Sequence, residues 1–305
     1  MKIEKVGILG LGALGILYAE KLSKVLGEDL YILVDSERKE RYLKEGVFLN
    51  GKMLNLNYLD YEKDSQELDL IIVSLKSYHV KDTLPKIVGL AGEKTLFISL
   101  LNGIDSEEII EERFGENAVL YAVAQGMDAT RDGRSLYYSN TGNISLGEKN
   151  NQPSKRLEAV KNLFDQASIE WNTPADIHLQ LWSKLMLNAG INQVLALYEG
   201  SYEDFQKDPK IRKLTIDIMR EVKTVANQKG IAITEEEIQK WIKILDGLDP
   251  KMKPSMAQDV EYGRKMEIGS FSGKICELGE KLGVPTPLNK KIKEDLELKE
   301  KKYQE

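Results

Sequence analysis

From its first residues the chain alternates short aliphatic runs with amphipathic helical stretches, and that rhythm limits its fold more than any composition does. KVGILG precedes ALGILYAEKLSKVL, LYILVD precedes SERKERYLKEG, LDLIIVSL precedes HVKDTLPKIVGLA, and TLFISLL precedes DSEEIIEERFG. Strands spaced by helices in this way are joined by right-handed crossovers into a parallel sheet. VFLNGKMLNLNY interrupts the rhythm, and Asn50-Gly51 between two strand-like runs predicts a hairpin. AVLYAVAQGM, RSLYYSN and NISLGE are expected to close the sheet, partly antiparallel. After SKRLEAVKNLFDQAS and the short IEWNTP the character changes. WSKLMLNAGIN, PKIRKLTIDIMREVKTVANQKG, TEEEIQKWIKILDGL and SMAQDVEYGRKMEIGSFSGKICELGEKLG all read as helix, with Thr234 and Glu237 spaced as a capping box.

The first strand runs directly into Gly10-Leu11-Gly12-Ala13-Leu14-Gly15 and then a helix. In that setting the glycines allow a tight turn, let a pyrophosphate approach the backbone, and let helix and strand pack closely. An acid follows about 20 residues on, Asp35 at the end of the second strand, as the dinucleotide fingerprint requires. The expected architecture is therefore an α/β N-terminal Rossmann-like domain over residues 1–173, binding a dinucleotide, and an all-α C-terminal domain over 174–305, carrying substrate and catalytic residues. A carboxylate at Asp35 accepts from a ribose 2′-hydroxyl and repels a 2′-phosphate, which favours NAD(H). Arg38 and Lys39 lie just beyond, either as a phosphate cradle or as solvated helix charges, and Asp35 can instead cap the helix it precedes. Both NADP(H) and NAD(H) stay open. Lys76 and Asn102 end two further strands at the same crevice, where ligands of open α/β sheets collect, although Asn102 before Gly103 also suits a turn.

The 305 residues carry a net charge of -6 with both signs interspersed, so there is no basic field for nucleic acid or an anionic membrane surface. A small molecule is the expected partner, and the long helices of the second domain are compatible with a homodimer. Cys276 is the only cysteine and fits a reducing compartment and a packing role. MKIEKVGILGLGALGILYA superficially resembles a signal peptide, but it is rich in glycine, lacks a small-residue cleavage pattern before Glu20 and Lys21, and its uncharged run is too short to span a bilayer. A cytoplasmic protein is expected. No metal site is anticipated. His79 and His178 are the only histidines. The lysine-rich tail from Asn289 reads as a solvated, fraying helix.

In WSKLMLNAGIN, Lys184, Asn188 and Asn192 recur every four residues on a helix otherwise fit for a core. Burying such groups without partners is costly, so they should line a cleft holding water or a ligand. Reduction of a carbonyl by a nicotinamide hydride leaves negative charge on oxygen and needs a proton donor, and Lys184 is the candidate. Downstream, Pro254-Ser255 opens a helix in which Gln258 completes a capping-box pattern, so a carboxylate could use that N-terminus.

GLGALG, SLK at 74–76, LNG at 101–103, ATRDG at 129–133, WSKxxxNxxxN and PSMAQDVEYGRKMEIGSFSG at 254–273 together resemble the ketopantoate reductase (2-dehydropantoate 2-reductase) family, from the first strand to about Pro287. The resemblance implies NADPH-dependent reduction of a 2-oxo acid, with Lys184 as general acid and Asn188 and Asn192 on the substrate. It further implies that Asn102 touches cofactor and substrate, Lys76 and, more weakly, Ala129 contact the cofactor, and Ser255 holds the substrate carboxylate. Glu267 would lie against the nicotinamide ribose and the reacting hydroxyl. Two positions depart from the pattern: Tyr202 stands near the place of a further substrate-contacting asparagine, and Asp35 where an arginine is frequent. Relatives of this architecture include NAD-dependent D-2-hydroxyacid dehydrogenases acting on other branched or aromatic 2-oxo acids, and a non-catalytic nucleotide sensor is a third alternative.

Overall fold

A computed structural model of the chain describes residues 2–304, apart from the side chains of residues 130–132 and 304. In chain order its first part comprises β1 (Val6–Leu9), α1 (Ala13–Leu26), β2 (Leu30–Val34), α2 (Ser36–Glu45), β3 (Phe48–Leu49), β4 (Lys52–Met53), β5 (Asn57–Asp60), β6 (Leu68–Val73), α3 (Val80–Thr83), β7 (Ala91–Ser99), α4 (Ser106–Phe114), β8 (Val119–Met127), β9 (Thr130–Asp132), β10 (Ser135–Tyr137), β11 (Thr141–Gly147), α5 (Lys155–Gln166) and β12 (Trp171–Asn172). Among the described residues eight strands form one sheet in the order β12-β11-β8-β7-β6-β1-β2-β5. Its pairings are parallel except β8 with β11. Parallel strands buried on both faces need continuous apolar runs, and β1 is buried at all four positions. Ile8, Ile16, Leu17, Leu70, Ile98 and Phe164 belong to the core between sheet and helices.

The hairpin forms as expected: β3 and β4 pair antiparallel, and Asn50 and Gly51 take φ values of +46° and +78°, the signs of a type I′ turn. RSLYYSN does not close the main sheet. Its strand, β10, joins β3 and β9 in a separate four-stranded sheet ordered β4-β3-β10-β9. Leu136 is the one fully buried residue of β10, too little for a place inside the main sheet, whose strands are covered on both faces, and the Asn50 side chain pins it by accepting from the Tyr138 N–H (3.1 Å). HVKDTLPKIVGLA also departs from a continuous helix, since α3 gives way to a 3₁₀ run, Leu84–Leu90, in which Pro85 withholds an N–H.

The helical part comprises α6 (Ile177–Leu187), a π-helical turn over Asn188–Asn192, α7 (Gln193–Tyr198), α8 (Tyr202–Lys207), α9 (Pro209–Gln228), α10 (Glu235–Asp246), α11 (Ser255–Glu261), α12 (Ser272–Leu282) and α13 (Pro287–Gln304). Helix α9 buries Ile211, Thr215, Ile218, Met219, Val222 and Val225, a stripe at helical spacing around which its neighbours pack. The segment from Ser255 is broken after α11 by Gly263 in the left-handed region, with Arg264 N–H donating to Asp259 O (2.7 Å) and Gly263 N–H to Val260 O (3.1 Å), a Schellman motif. Thr234 and Glu237 form no capping box: the Thr234 side chain makes no cap bond, and Glu237 accepts from Ser183 Oγ at 3.0 Å. The tail is anchored rather than merely solvated. Ile292 and Leu296 are buried, and the Glu221 carboxylate accepts from the N–H groups of Leu288 (2.8 Å) and Asn289 (2.9 Å) at the start of α13. No helix among the described residues is long and apolar enough to cross a membrane.

Contacts divide the chain into two compact units: residues up to Leu101 with Asp105–Ile177, and Asn102–Ile104 with His178 onward. At the base of the loop that leaves the first unit, Ser99 Oγ donates to Ser106 Oγ (2.7 Å) and Ser106 Oγ to Glu107 Oε2 (2.9 Å), all three residues being buried. Burial pushes the Glu107 carboxyl up to about 7, against its backbone and Ser106 hydrogen bonds, while Asp105 and Glu108 add to the rise. A raised carboxyl contributes stability that is fully present below its ordinary 4.5 and lost as pH climbs through about 7. Glu107→Gln keeps the shape without the charge, so urea unfolding should find the variant more stable than the parent at pH 8, by on the order of 3 kcal/mol at most, with the difference shrinking toward pH 5. An equal difference at both pH values would contradict this account.

Candidate active site

The turn between β1 and α1 is shaped by what it cannot accommodate. Gly10 has φ of +100°, and a Cβ there would lie 3.0 Å from the Ser74 carbonyl oxygen. At Gly15 a Cβ would lie 2.0 Å from the Gly10 carbonyl oxygen, a backbone atom that no rotamer change can move. Ser74, just past β6, fixes the same carbonyl by donating to it at 2.6 Å. Nothing in the sequence around SLK signals this role for Ser74, because its significance lies in a bond to a residue 64 positions away. Leu11 is buried, and Gly12 caps α1 without a side-chain hydrogen bond; Ala13 and Leu14 follow in a first turn that contains no acid. Backbone N–H groups presented this way, with positive partial charge and no competing carboxylate, fit the pyrophosphate of a dinucleotide.

At the end of β2 the Asp35 carboxylate is already engaged. Its Oδ1 accepts from the Arg38 N–H (2.7 Å) as the cap of α2, and its Oδ2 lies 3.1 Å from the Arg38 guanidinium and accepts from the Tyr61 hydroxyl at 3.4 Å. Burial first, and then the Asp35 charge, raise the Tyr61 phenol. Lys39 pairs with Asp64 at 3.3 Å. Lys76 is half-buried and opens a 3₁₀ turn over Ser77–His79. Ala129, half-buried between β8 and β9, packs on the main core, whereas the side chains of residues 130–132 in the ATRDG run lie outside the described residues.

In the helical unit, four of the residues singled out in the sequence form one hydrogen-bonded chain. Asn188 Nδ2 donates to Asn102 Oδ1 (3.5 Å), Asn192 Nδ2 to Asn188 Oδ1 (3.1 Å), and Asn192 Nδ2 also to Ser255 Oγ (3.4 Å). Asn188 and Asn192 are buried, Asn102 is half-buried, and Ser255 at the other end is exposed. Ser255 is the first residue of α11 rather than its cap, and Gln258 reaches back to the Lys253 carbonyl at 3.0 Å, so the capping-box pattern read there is not formed.

Lys184 stands one helical turn before Asn188, half-buried in a helix whose Leu181, Trp182, Ser183, Leu185 and Met186 are buried. The preceding residue is locked: Trp241 Nε1 donates to Ser183 Oγ at 2.7 Å, and Ser183 Oγ to Glu237 at 3.0 Å. Glu267 is buried at the start of a 3₁₀ turn over Ile268–Ser270. Tyr202 begins α8, with burial pushing its phenol up to about 12. Gln193 and Ser272, both fully buried, carry a further polar link that the sequence signalled only by a polar residue following Asn192.

Two family models match the chain in sequence: "Ketopantoate reductase PanE/ApbA" over residues 6–151 and "Ketopantoate reductase PanE/ApbA C terminal" over residues 176–300. The chain is 27% identical to the 2-dehydropantoate 2-reductase of Aquifex aeolicus, across 98% of this chain and 97% of that protein. Among solved structures, the 2-dehydropantoate 2-reductase from Geobacter metallireducens is 27% identical, superposes with a TM-score of 0.86, and is covered to 99% by 96% of this chain. A ternary structure of D-mandelate dehydrogenase with NADH and anilino(oxo)acetate shares the fold, with a TM-score of 0.87 at 24% identity over 99% of this chain and all of that one. With the two models spanning both the glycine turn and the asparagine chain, the protein belongs to the ketopantoate reductase family of oxidoreductases.

Proposed function

We propose that this chain reduces 2-dehydropantoate to (R)-pantoate with NADPH, a step toward pantothenate and coenzyme A, and that Lys184 is its general acid. The observation that carries the reading is the Asn102–Asn188–Asn192–Ser255 chain, whose carboxamides and hydroxyl offer several donors and whose Asn188 lies one turn from a lysine. A 2-oxo acid needs such an array, because its carboxylate and keto oxygen accept hydrogen bonds and are discriminated by donors that would otherwise be left unpaired. In this reading Ser255 holds the substrate carboxylate, and Asn188 and Asn192 orient the carbonyl.

The glycine turn would hold the pyrophosphate, with Lys76, Asn102, Ala129 and Glu267 contacting the rest of the cofactor. When bound, a reduced nicotinamide supplies a hydride to the carbonyl carbon. The electron pair of the carbonyl bond moves to oxygen, and Lys184 Nζ gives that oxygen a proton, leaving a neutral amine to be reprotonated from solvent. NADPH is supported by the state of Asp35, whose charge is offset by the Arg38 guanidinium and shared with a helix cap. The Lys39 ammonium nearby is in turn paired with Asp64.

A second reading, an NADH-dependent D-2-hydroxyacid dehydrogenase for branched or aromatic 2-oxo acids, is favoured by the carboxylate at Asp35 and by Tyr202. Initial rates with NADH and NADPH across a small panel of 2-oxo acids separate the two. The first reading expects the highest kcat/KM for NADPH with 2-dehydropantoate, and a maximum with NADH and an aromatic 2-oxo acid would replace it. Turnover of any 2-oxo acid also removes the nucleotide-sensor alternative. Lys184→Ala should lower kcat by at least about a hundredfold while cofactor affinity, measured by fluorescence titration, stays within about twofold. Unchanged turnover would take Lys184 out of the mechanism.

A further inference from the structure

Of the polar side chains buried in the helical unit, Gln193 has the most complete set of bonds and no part in the chemistry above. It is fully buried and follows directly on the π turn. Its Nε2 donates to the Ala189 carbonyl inside that turn at 2.8 Å, while its own backbone N–H turns to the Gly190 carbonyl. Its Oε1 accepts from the Ser272 hydroxyl at 2.7 Å and from the Ser272 backbone N–H at 3.3 Å. Ser272, also fully buried, opens α12, where Phe271 occupies the cap position and provides no side-chain bond. One carboxamide therefore ties the turn that carries Asn188 and Asn192 to the N-terminus of another helix. On the other side Gly190 lets α9 close in, since a Cβ there would lie 2.7 Å from Met219 Cγ and 3.1 Å from the Thr215 carbonyl oxygen.

A π turn holds one residue more than an α turn, so its hydrogen-bond register decides which way every later side chain points. Reversion to α-helical bonding would rotate the residues after the turn by about one residue's step, roughly 100°, and Asn192 relative to Asn188 by part of that. Such a turn persists only where its surroundings favour it over the regular helix. We infer that Gln193 is a positioning residue: clamped by Ser272, it fixes the π turn in the register that directs Asn188 and Asn192 toward a 2-oxo acid. This rests on the reading of those two asparagines as substrate contacts.

Steady-state kinetics with 2-dehydropantoate, or with the best 2-oxo acid of the panel, test it on the full-length protein. Gln193→Leu, of similar bulk but unable to make any of the three side-chain bonds, should raise KM for the 2-oxo acid at least about tenfold with KM for the cofactor within about twofold. Ser272→Ala removes the hydroxyl but keeps the backbone donor, so a smaller rise in KM, about threefold, is expected. A residue that only supports the fold would lower melting temperature and the yield of active enzyme without moving KM, and that outcome overturns the inference. Should Gln193→Leu fail to fold, Ser272→Ala decides alone, and a parental KM there also overturns it. Asn188→Ala and Asn192→Ala identify which idea has failed: if both leave KM unchanged, the substrate reading falls and takes this inference with it, whereas if they raise KM and the Gln193 and Ser272 variants do not, only the positioning role is lost.

Discussion

Carboxamides cannot stay in an apolar core unless each finds partners there, because an unpaired buried amide costs about 1–3 kcal/mol. Asn188, Asn192 and Gln193 are all buried within six residues of one another, amid Leu185, Met186, Ala189, Ile191, Val194 and Leu195. Their demands shape much of the helical unit around them. Gln193 satisfies itself by bonding the turn to α12, and Asn192 by spanning Asn188 and the first residue of α11. Asn188 reaches Asn102 at 3.5 Å, and residues 102–104 belong by contact to the helical unit, with Ile104 packed on its core. A core built only of Leu and Ile would pack as densely at lower risk. In the proposed reading a 2-oxo acid has a use for Asn188 and Asn192, whereas Gln193 serves the turn that carries them.

The same economy governs the polar groups at the ends of the parallel strands. Ser74 donates to Gly10 across the glycine turn, and Ser99, Ser106 and Glu107 close the loop after β7 by bonds among themselves. Ser74 satisfies a backbone carbonyl and Ser99 Oγ accepts from the Leu101 N–H (3.3 Å), at strand ends where the sheet's ladder hydrogen bonds stop and backbone groups would otherwise need water. Both loops carry candidate cofactor contacts, so the groups that satisfy the backbone there also hold those contacts still.

Much of this was legible in the residues, and the exceptions share a cause. The strand and helix alternation, the hairpin at Asn50-Gly51 and the glycine turn depend on near neighbours, which a sequence displays directly. Strand β10 was misassigned because, beyond its local pairing with β9, what draws it from the main sheet is β3 and the Asn50 side chain, more than 80 positions earlier. The spacing of Thr234 and Glu237 satisfied a capping rule, yet Glu237 had a better partner in Ser183, 54 positions away. Lys184, Asn188 and Asn192 stand out by their four-residue recurrence, but the π turn that carries the two asparagines does not, since hydrogen-bond register leaves no mark on composition. Gly263 was different: its Schellman motif is a local signal, and the run of helix formers around it masked a break that was there to be read.

Asp35 shows how one residue can satisfy a fingerprint and a fold at once. Capping α2 through the Arg38 N–H is worth about 1 kcal/mol and is built into the backbone path, so it is the fixed part of the arrangement. The ion pair with the Arg38 guanidinium is another matter: the arginine side chain is 44% exposed, and pairs at such exposure contribute about 0–1 kcal/mol. A ribose hydroxyl can therefore compete for Oδ2, since a carboxylate has lone pairs to spare, and the released guanidinium can turn to a phosphate in bidentate geometry. Preference between the two cofactors thus depends on what Arg38 gains at a 2′-phosphate against the loss of leaving Asp35 and the repulsion between that carboxylate and the phosphate.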